Sequence, residues 1–488
     1  MKQHNMKRTI HVNEEAARCL LCEDAPCTKV CKHGDPARAI RAIRFGNKKN
    51  AWKWIECCSE ADLEQAEKAC IHYDHPLRIR ELLDAVKNDA VAIDNIPSLS
   101  IDFCGIHCEN PFFLASSAIC TNYDMVARAL DMGWAGVFYK TICKQEIREV
   151  SPRFDAVKDG TSFAGFRNME QLSENPYEVD FDILRRLKKD YPNKIVVASI
   201  MGRQEEEWTE LAKMAEEAGC DAVELNYSCP QMRMTGMGSD IGQNPELVTF
   251  FTAFVKRSVK IPVIPKMTPN ITHINNPAMG AFFAGADAIS AINTIKSVTM
   301  SPQAAVSGKQ TISGYSGRAI KPIALRYIYQ MASNPIMKNI QFSGIGGIET
   351  WRDALEFIQL GCHNVQVCTA VMEYGYRIID DLVLGLQTYM AERGIEHVSD
   401  LVGEQLPNMV LPSDLDRETM AYPNVDRELC IGCGRCYLSC RDGGHQAMTF
   451  DHVTRKPNID GQKCVGCHLC RLVCPTGAIG ITKRFNKK

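Results

Sequence analysis

The chain has 488 residues, 45% of them hydrophobic and 23% charged, with a formal net charge of −2. That length allows about three domains, or one roughly 250-residue barrel with additions, and the near-zero charge excludes a general nucleic-acid role, which needs a basic field. No apolar run is long enough to span a bilayer and Met1–Asn5 leads into polar residues without a signal-peptide core, so 23 cysteines predict metal ligation in a reducing, cytoplasmic compartment and not a disulfide framework.

The cysteines are segregated. Seven lie between Cys19 and Cys70 and eight between Cys430 and Cys474; most of the others are expected to be small buried hydrophobes. Residues 1–95 form the first predicted domain, small, helical and cysteine-rich. It carries Cys19-x2-Cys22-x4-Cys27-x3-Cys31, then Cys57, Cys58 and Cys70. The opening from Cys19 to Cys27 resembles the helical iron–sulfur domain of glutamate synthase small subunits and of dihydropyrimidine dehydrogenase electron-input subunits, which supports two clusters. The resemblance implies one [4Fe-4S] cluster here, on Cys19, Cys22, Cys27 and Cys70. Ala66 stands about where a second cluster would need a cysteine, and Cys31 with Cys57 or Cys58 lacks a full ligand set. A structural zinc ion is the alternative.

From residue 96 to 400 short apolar runs alternate with amphipathic helical stretches. The predicted strands are Pro111–Ser116, Ala135–Lys140, Ile195–Ile200, Asp221–Asn226, Ile261–Lys266, Ala286–Ile292, Ile340–Gly344 and His363–Cys368. Helical patterns such as Trp208–Ala218, Pro245–Val259 and Trp351–Leu360 lie between them. Eight repeats with continuously apolar strands predict an α/β fold, a TIM (β/α)8 barrel in place of an open sheet. Polar residues recur at the strand ends: Ser116, Lys140, Asn226, Lys266, Asn293-Thr294, Gly346-Gly347 and Cys368-Thr369. In a barrel these ends share one face, where active sites are built. The Gly344–Gly347 turn and Cys368-Thr369 occupy the usual phosphate position after strands seven and eight. Neither a G-x-G-x-x-G fingerprint nor a P-loop is present. A phosphate-anchored flavin mononucleotide fits better than a dinucleotide or a nucleoside triphosphate, and a flavin also exchanges single electrons with iron–sulfur clusters.

Residues 401–424 read as a linker and 425–488 as a ferredoxin-like domain. The latter holds Cys430-x2-Cys433-x2-Cys436-x3-Cys440 and Cys464-x2-Cys467-x2-Cys470-x3-Cys474-Pro475. This is the bacterial two-cluster spacing, in which the fourth cysteine of each run ligates the other run's [4Fe-4S] cube. The first cube therefore takes Cys430, Cys433, Cys436 and Cys474, and the second takes Cys464, Cys467, Cys470 and Cys440. A pair of zinc sites is the weaker alternative.

The segment from Glu224 to Pro230 resembles the N-x-S-C-P signature of the dihydroorotate and dihydropyrimidine dehydrogenases. The stretches Pro265–Asn270, Asn293-Thr294, Ser313–Gly317 and Ser343–Thr350 match in order. With the ferredoxin domain, roughly residues 100–480 resemble the catalytic subunits of bacterial NAD-dependent dihydropyrimidine dehydrogenases. The resemblance implies an FMN barrel acting at the 5,6-double bond of uracil or thymine. It implies that Lys266, Lys140-Thr141 and Ala115-Ser116 contact the isoalloxazine, while Ser316-Gly317, Gly346-Gly347 and Cys368-Thr369 hold ribityl and phosphate. Asn168, Asn226, Ser228, Asn293 and Thr294 would bind the pyrimidine, since carboxamides match an imide edge. Cys229 would be the general acid/base at C5, since a thiol with an unperturbed pKa of roughly 8.5 can serve either direction, and Gly236–Gly238 would be part of a mobile lid. Two other readings are a dihydroorotate dehydrogenase, which needs a clamp for a carboxylate, and a non-catalytic electron carrier or scaffold. With no nicotinamide or FAD domain in the sequence, an FAD-containing, NAD(P)H-oxidising partner subunit is expected, in a hetero-oligomer.

Overall fold

The computed structural model describes residues 12–72, 74–90, 95–160, 162–230, 232 and 236–487. They fall into two compact units, divided between Pro407 and Asn408.

The first unit is built on a closed parallel barrel of eight strands: β1 (Phe112–Leu114), β2 (Gly136–Phe138), β3 (Ile195–Ile200), β4 (Ala222–Asn226), β5 (Val263–Lys266), β6 (Ala288–Ala291), β7 (Gln341–Ile345) and β8 (Cys362–Val367). All eight lie within or overlap the predicted runs. Five of them are buried at every position, and Ile195–Ile200 makes a sixth, as expected of strands covered on both faces. The intervening helices start where the sequence supplies caps. Asn244 accepts from the amides of Glu246 and Leu247 ahead of Pro245–Ser258, and Thr350 forms a capping box with Asp353 ahead of Trp351–Gln359.

Two loops at the barrel mouth leave the repeat. The chain after β2 forms Phe154–Asp159 and Ser162–Asn168, and the chain after β6 forms Ile295–Ser297 and Ser313–Ser316. Together they make a four-stranded antiparallel sheet in which Ser313–Ser316 pairs with Ser162–Asn168. This sheet was not among the predicted elements.

The N-terminal helices dock on the barrel's outer ring within the same unit. Asp35 caps Pro36–Arg44, whose Arg41 donates to Asp381 at 2.7 Å. Asn47 and Asn50 donate to the Asp381 carbonyl and the Thr388 hydroxyl on helix Ile379–Ala391.

In the second unit Thr419–Val425 pairs antiparallel with Ile479–Asn486, and Met448–Asp451 pairs with Lys456–Ile459. Residues 419–424 are therefore a strand of this unit, not linker. Residues 403 and 405 bond back to Ile358 and Gln359, so the boundary falls at 407/408. No described helix is long and apolar enough to cross a membrane.

Candidate functional site

The barrel mouth holds a cavity of about 1120 Å³, counted to its open rim. Its wall carries every residue the sequence assigned to a flavin: Ala115 and Ser116 after β1, Lys140 and Thr141 after β2, Lys266 ending β5, Ser316-Gly317, Gly346-Gly347 and Cys368-Thr369. Asn168, Asn226, Cys229, Asn293 and Thr294 join them. Ser228 does not reach the wall. It is fully buried, donates to Asn226 Oδ1 at 2.9 Å and accepts from Asn293 Nδ2 at 2.9 Å. Its place in the fold is behind the carboxamides, fixing their orientation.

Local structure explains these positions. Asn226 ends β4, and its Nδ2 donates to Thr141 Oγ1 at 2.9 Å. Thr141 in turn contacts the hydroxyls of Ser116 and Ser199 at 3.0 Å each. The Cys229 carbonyl accepts from the Ser239 amide at 2.9 Å. Gly238, at φ +57°, makes this turn possible, because a Cβ there would lie 2.4 Å from that carbonyl oxygen. Of the predicted lid, Met237 is buried and Gly236 donates to Asp240; residues 231 and 233–235 lie outside the described residues.

The glycines fit a phosphate cradle. Gly317, Gly346 and Gly347 have φ of +89°, +128° and +76°, and a Cβ on Gly347 would stand 2.8 Å from the Lys321 amide nitrogen. Ser316 and Thr369 bring their hydroxyls within 3.1 Å of each other beside them. Glu349 also faces this end, and burial pushes its carboxyl above the ordinary range.

Among the described residues, each cationic side chain on the wall has a carboxylate partner. Lys140 meets Glu170 at 2.9 Å, Lys266 meets Glu224 at 3.3 Å and Arg318 meets Asp159 at 2.7 Å. The neighbouring thiols are quiet: burial pushes Cys120 up to about 12 and raises Cys368 as well.

Several wall residues had gone unrecognised in the sequence. Phe154, Phe163 and Phe166 from the excursion sheet form an aromatic side, with Phe166 5.3 and 5.6 Å from its neighbours. The Asp159-Gly160 dipeptide between two aromatic runs is a hairpin signal that could have found them. Glu170 and Gln366 also line the wall, and nothing local in the sequence marks them.

The cysteines gather around three smaller cavities. Cys430, Cys433, Cys436 and Cys474 line one of about 330 Å³, and Cys440, Cys464, Cys467 and Cys470 line one of about 360 Å³. The fourth cysteine of each run thus faces the other run's cavity. Cys19, Cys22, Cys27 and Cys70 line a third, of about 350 Å³. Cys31 and Cys58 stand apart from it, their sulfurs 3.9 Å from each other. Among the described residues no three His, Cys, Asp or Glu side chains converge as ligands of one metal ion. Thiols spaced around a void suit a cube, whereas one zinc ion needs sulfurs drawn to about 2.3 Å from a single point.

Comparison with known proteins agrees. The dihydroorotate dehydrogenase family model matches residues 98–390, and a 4Fe-4S dicluster domain model matches 423–481. The chain belongs to the dihydroorotate dehydrogenase family. It is an FMN and iron–sulfur oxidoreductase of that family. It is 51% identical over 364 residues to the NAD-dependent dihydropyrimidine dehydrogenase subunit PreA of Escherichia coli (strain K12), covering 73% of this chain and 89% of that one. It is 36% identical over 343 residues to the chloroplastic dihydropyrimidine dehydrogenase (NADP(+)) of Arabidopsis thaliana, covering 66% and 80%. To the catalytic subunit of dihydroorotate dehydrogenase B (NAD(+)) of Pyrococcus furiosus it is 36% identical over 311 residues, covering 63% and 98%.

Proposed function

We propose that the chain interconverts uracil or thymine and their 5,6-dihydro forms. The observation that carries this is the pairing of every described cation on the cavity wall with a carboxylate, beside Cys229 and three carboxamides. Such a wall suits a neutral imide ring. An orotate carboxylate would call for an unmatched cation, which the described wall lacks.

FMN, when bound, supplies hydride exchange with the substrate and single-electron exchange with the clusters. The residues of the chain do the rest. Lys266 would sit near the flavin pyrimidine edge, Lys140 and Ser116 would contact the isoalloxazine, and Ser316, Gly317, Gly346, Gly347, Cys368 and Thr369 would hold its ribityl and phosphate groups. Asn168, Asn226, Asn293 and Thr294 hold the pyrimidine by its donors and acceptors, with Ser228 bracing two of these amides from behind. Cys229 gives a proton to C5 in reduction and removes it in oxidation. Residues 236–238 belong to the lid that carries Cys229 over the ring.

Cys19, Cys22, Cys27 and Cys70 hold a third [4Fe-4S] cluster in this reading, supported by the cavity they share. Electrons arrive from a separate FAD-containing subunit that oxidises NADH or NADPH, and the assembly works in the cytoplasm. The test is anaerobic turnover with reduced viologen on uracil, thymine and orotate, with products identified. Dihydrouracil or dihydrothymine as the dominant product supports the proposal, and preferential dihydroorotate formation overturns it.

A further inference from the structure

Glu224 lies two residues before Asn226 on β4, one layer deeper in the barrel than the flavin-facing wall. It is fully buried, as is the Lys266 ammonium 3.3 Å away. Ser199 Oγ donates to its Oε1 and Ser290 Oγ to its Oε2, each at 2.9 Å. Both carboxylate oxygens are therefore fixed by donors from β3 and β6. Ser199 continues through Thr141 to Asn226 and Ser116 on the cavity wall. The carboxylate is thus rigidly held, excluded from water and coupled to a lysine that faces the cavity.

We infer that Glu224 is a positioning residue that sets the reduction potential of the bound FMN through Lys266. This rests on Lys266 lying at the flavin pyrimidine edge, as proposed above. In a site without water the field of a fixed charge is poorly screened. A bare lysine at the flavin edge would favour the negative charge of reduced FMN and raise its potential. Glu224 offsets part of that charge. The serines moderate the carboxylate in turn, because each donor draws charge from it. A flavin that must reduce a pyrimidine double bond needs this restraint, since a high potential would hold the electrons on FMN.

Glu224→Gln keeps the shape and one hydrogen-bond acceptor while removing the charge. Its expected effect is about a tenfold shift in the ratio of affinities for reduced and oxidised FMN, an upward change of about 30 mV for a two-electron couple. Ser290→Ala acts in the opposite sense: the carboxylate loses a donor and the potential falls. Both are read by anaerobic dye-coupled titration of the FMN absorbance, with Lys266→Met as the reference for the lysine itself. A rise in E224Q with a fall in S290A supports the inference. Unchanged potentials in both, alongside a lowered potential in K266M, overturn it and leave the placement of FMN standing. Unchanged potentials in all three refute the placement of Lys266 at the flavin, and the inference falls with it. Should E224Q fail to retain FMN, S290A decides alone: a fall supports the inference and no change overturns it.

Discussion

Cys229 presents its side chain to the same cavity as Asn168, Asn226 and Asn293, and the chemistry assigned to it is a single proton transfer. Cys229→Ala should retain FMN, visible as an unchanged flavin spectrum, and lose roughly two to four orders of magnitude in pyrimidine reduction, the usual range for a positioned acid. Near-normal turnover with chemistry rate-limiting would remove Cys229 from the mechanism. Ser228 makes a contrasting case. Ser228→Ala strips Asn293 of an acceptor 2.9 Å away without touching the proton donor, so it should raise KM several-fold with a smaller change in kcat. The wall residues named from the sequence were legible because most of them sit in short motifs at strand ends. Glu170 on the wall and Glu224 behind it were not. Glu224 and Glu170 take their importance from partners 42 and 30 residues away, and no local pattern encodes that.

The same contrast holds for elements. Continuous apolar runs located all eight barrel strands, since burial on both faces writes itself into composition. The excursion strands are partly exposed and interrupted by turns, so periodicity gave them no signature, although they carry Asn168 and the aromatic side of the cavity. At the phosphate end the geometry is demanding enough to test with one methyl group. Gly347→Ala puts a Cβ against the Lys321 backbone at a φ of +76°, a strain of about 1–2 kcal/mol. FMN affinity should drop by about tenfold while far-UV circular dichroism is unchanged; full FMN content at limiting flavin would contradict the cradle. The docking of the N-terminal helices is testable as well. Arg41 and Asp381 are 10% and 4% exposed, and Arg41→Ala leaves a buried carboxylate without its cation, at a cost of about 3–5 kcal/mol in unfolding measurements. Burial already raises the Asp381 carboxyl, with Arg41 opposing it. The penalty is complete above the still higher value the carboxyl takes without Arg41 and shrinks as pH falls from there to the wild-type folded value. The loss in R41A should therefore be smaller in mildly acid buffer than at neutral pH.

At the scale of the whole molecule, iron and electrons define what the chain can do alone. Among its described residues the second unit has a small hydrophobic core cluster of four buried side chains, and two of these are Cys436 and Cys470. Such a core cannot outweigh chain entropy for 81 residues, so the clusters must supply folding energy. Iron removal should expose this unit to protease while the barrel stays resistant. The purified holoprotein should contain about twelve irons, and Cys19→Ser with Cys70→Ser should bring that to about eight; an unchanged iron content, with a zinc atom lost, would favour zinc. Domain order was legible from cysteine spacing, but the boundary at 407/408 was not, because the Pro- and Asp-bearing stretch before Cys430 resembles a linker until its strand partner at Ile479–Asn486 is known. The electron source follows from the same inventory. The family pocket and the cysteine cavities give sites for FMN and clusters, while the sequence holds no fingerprint for a nicotinamide or FAD domain. Dithionite or reduced viologen should therefore drive pyrimidine reduction by the isolated chain, whereas NADH should be oxidised negligibly until the proposed FAD-containing partner is added. Rapid NADH-dependent uracil reduction by the chain alone, shown free of FAD and of any second protein, would place the nicotinamide chemistry within these 488 residues and abolish the need for a partner.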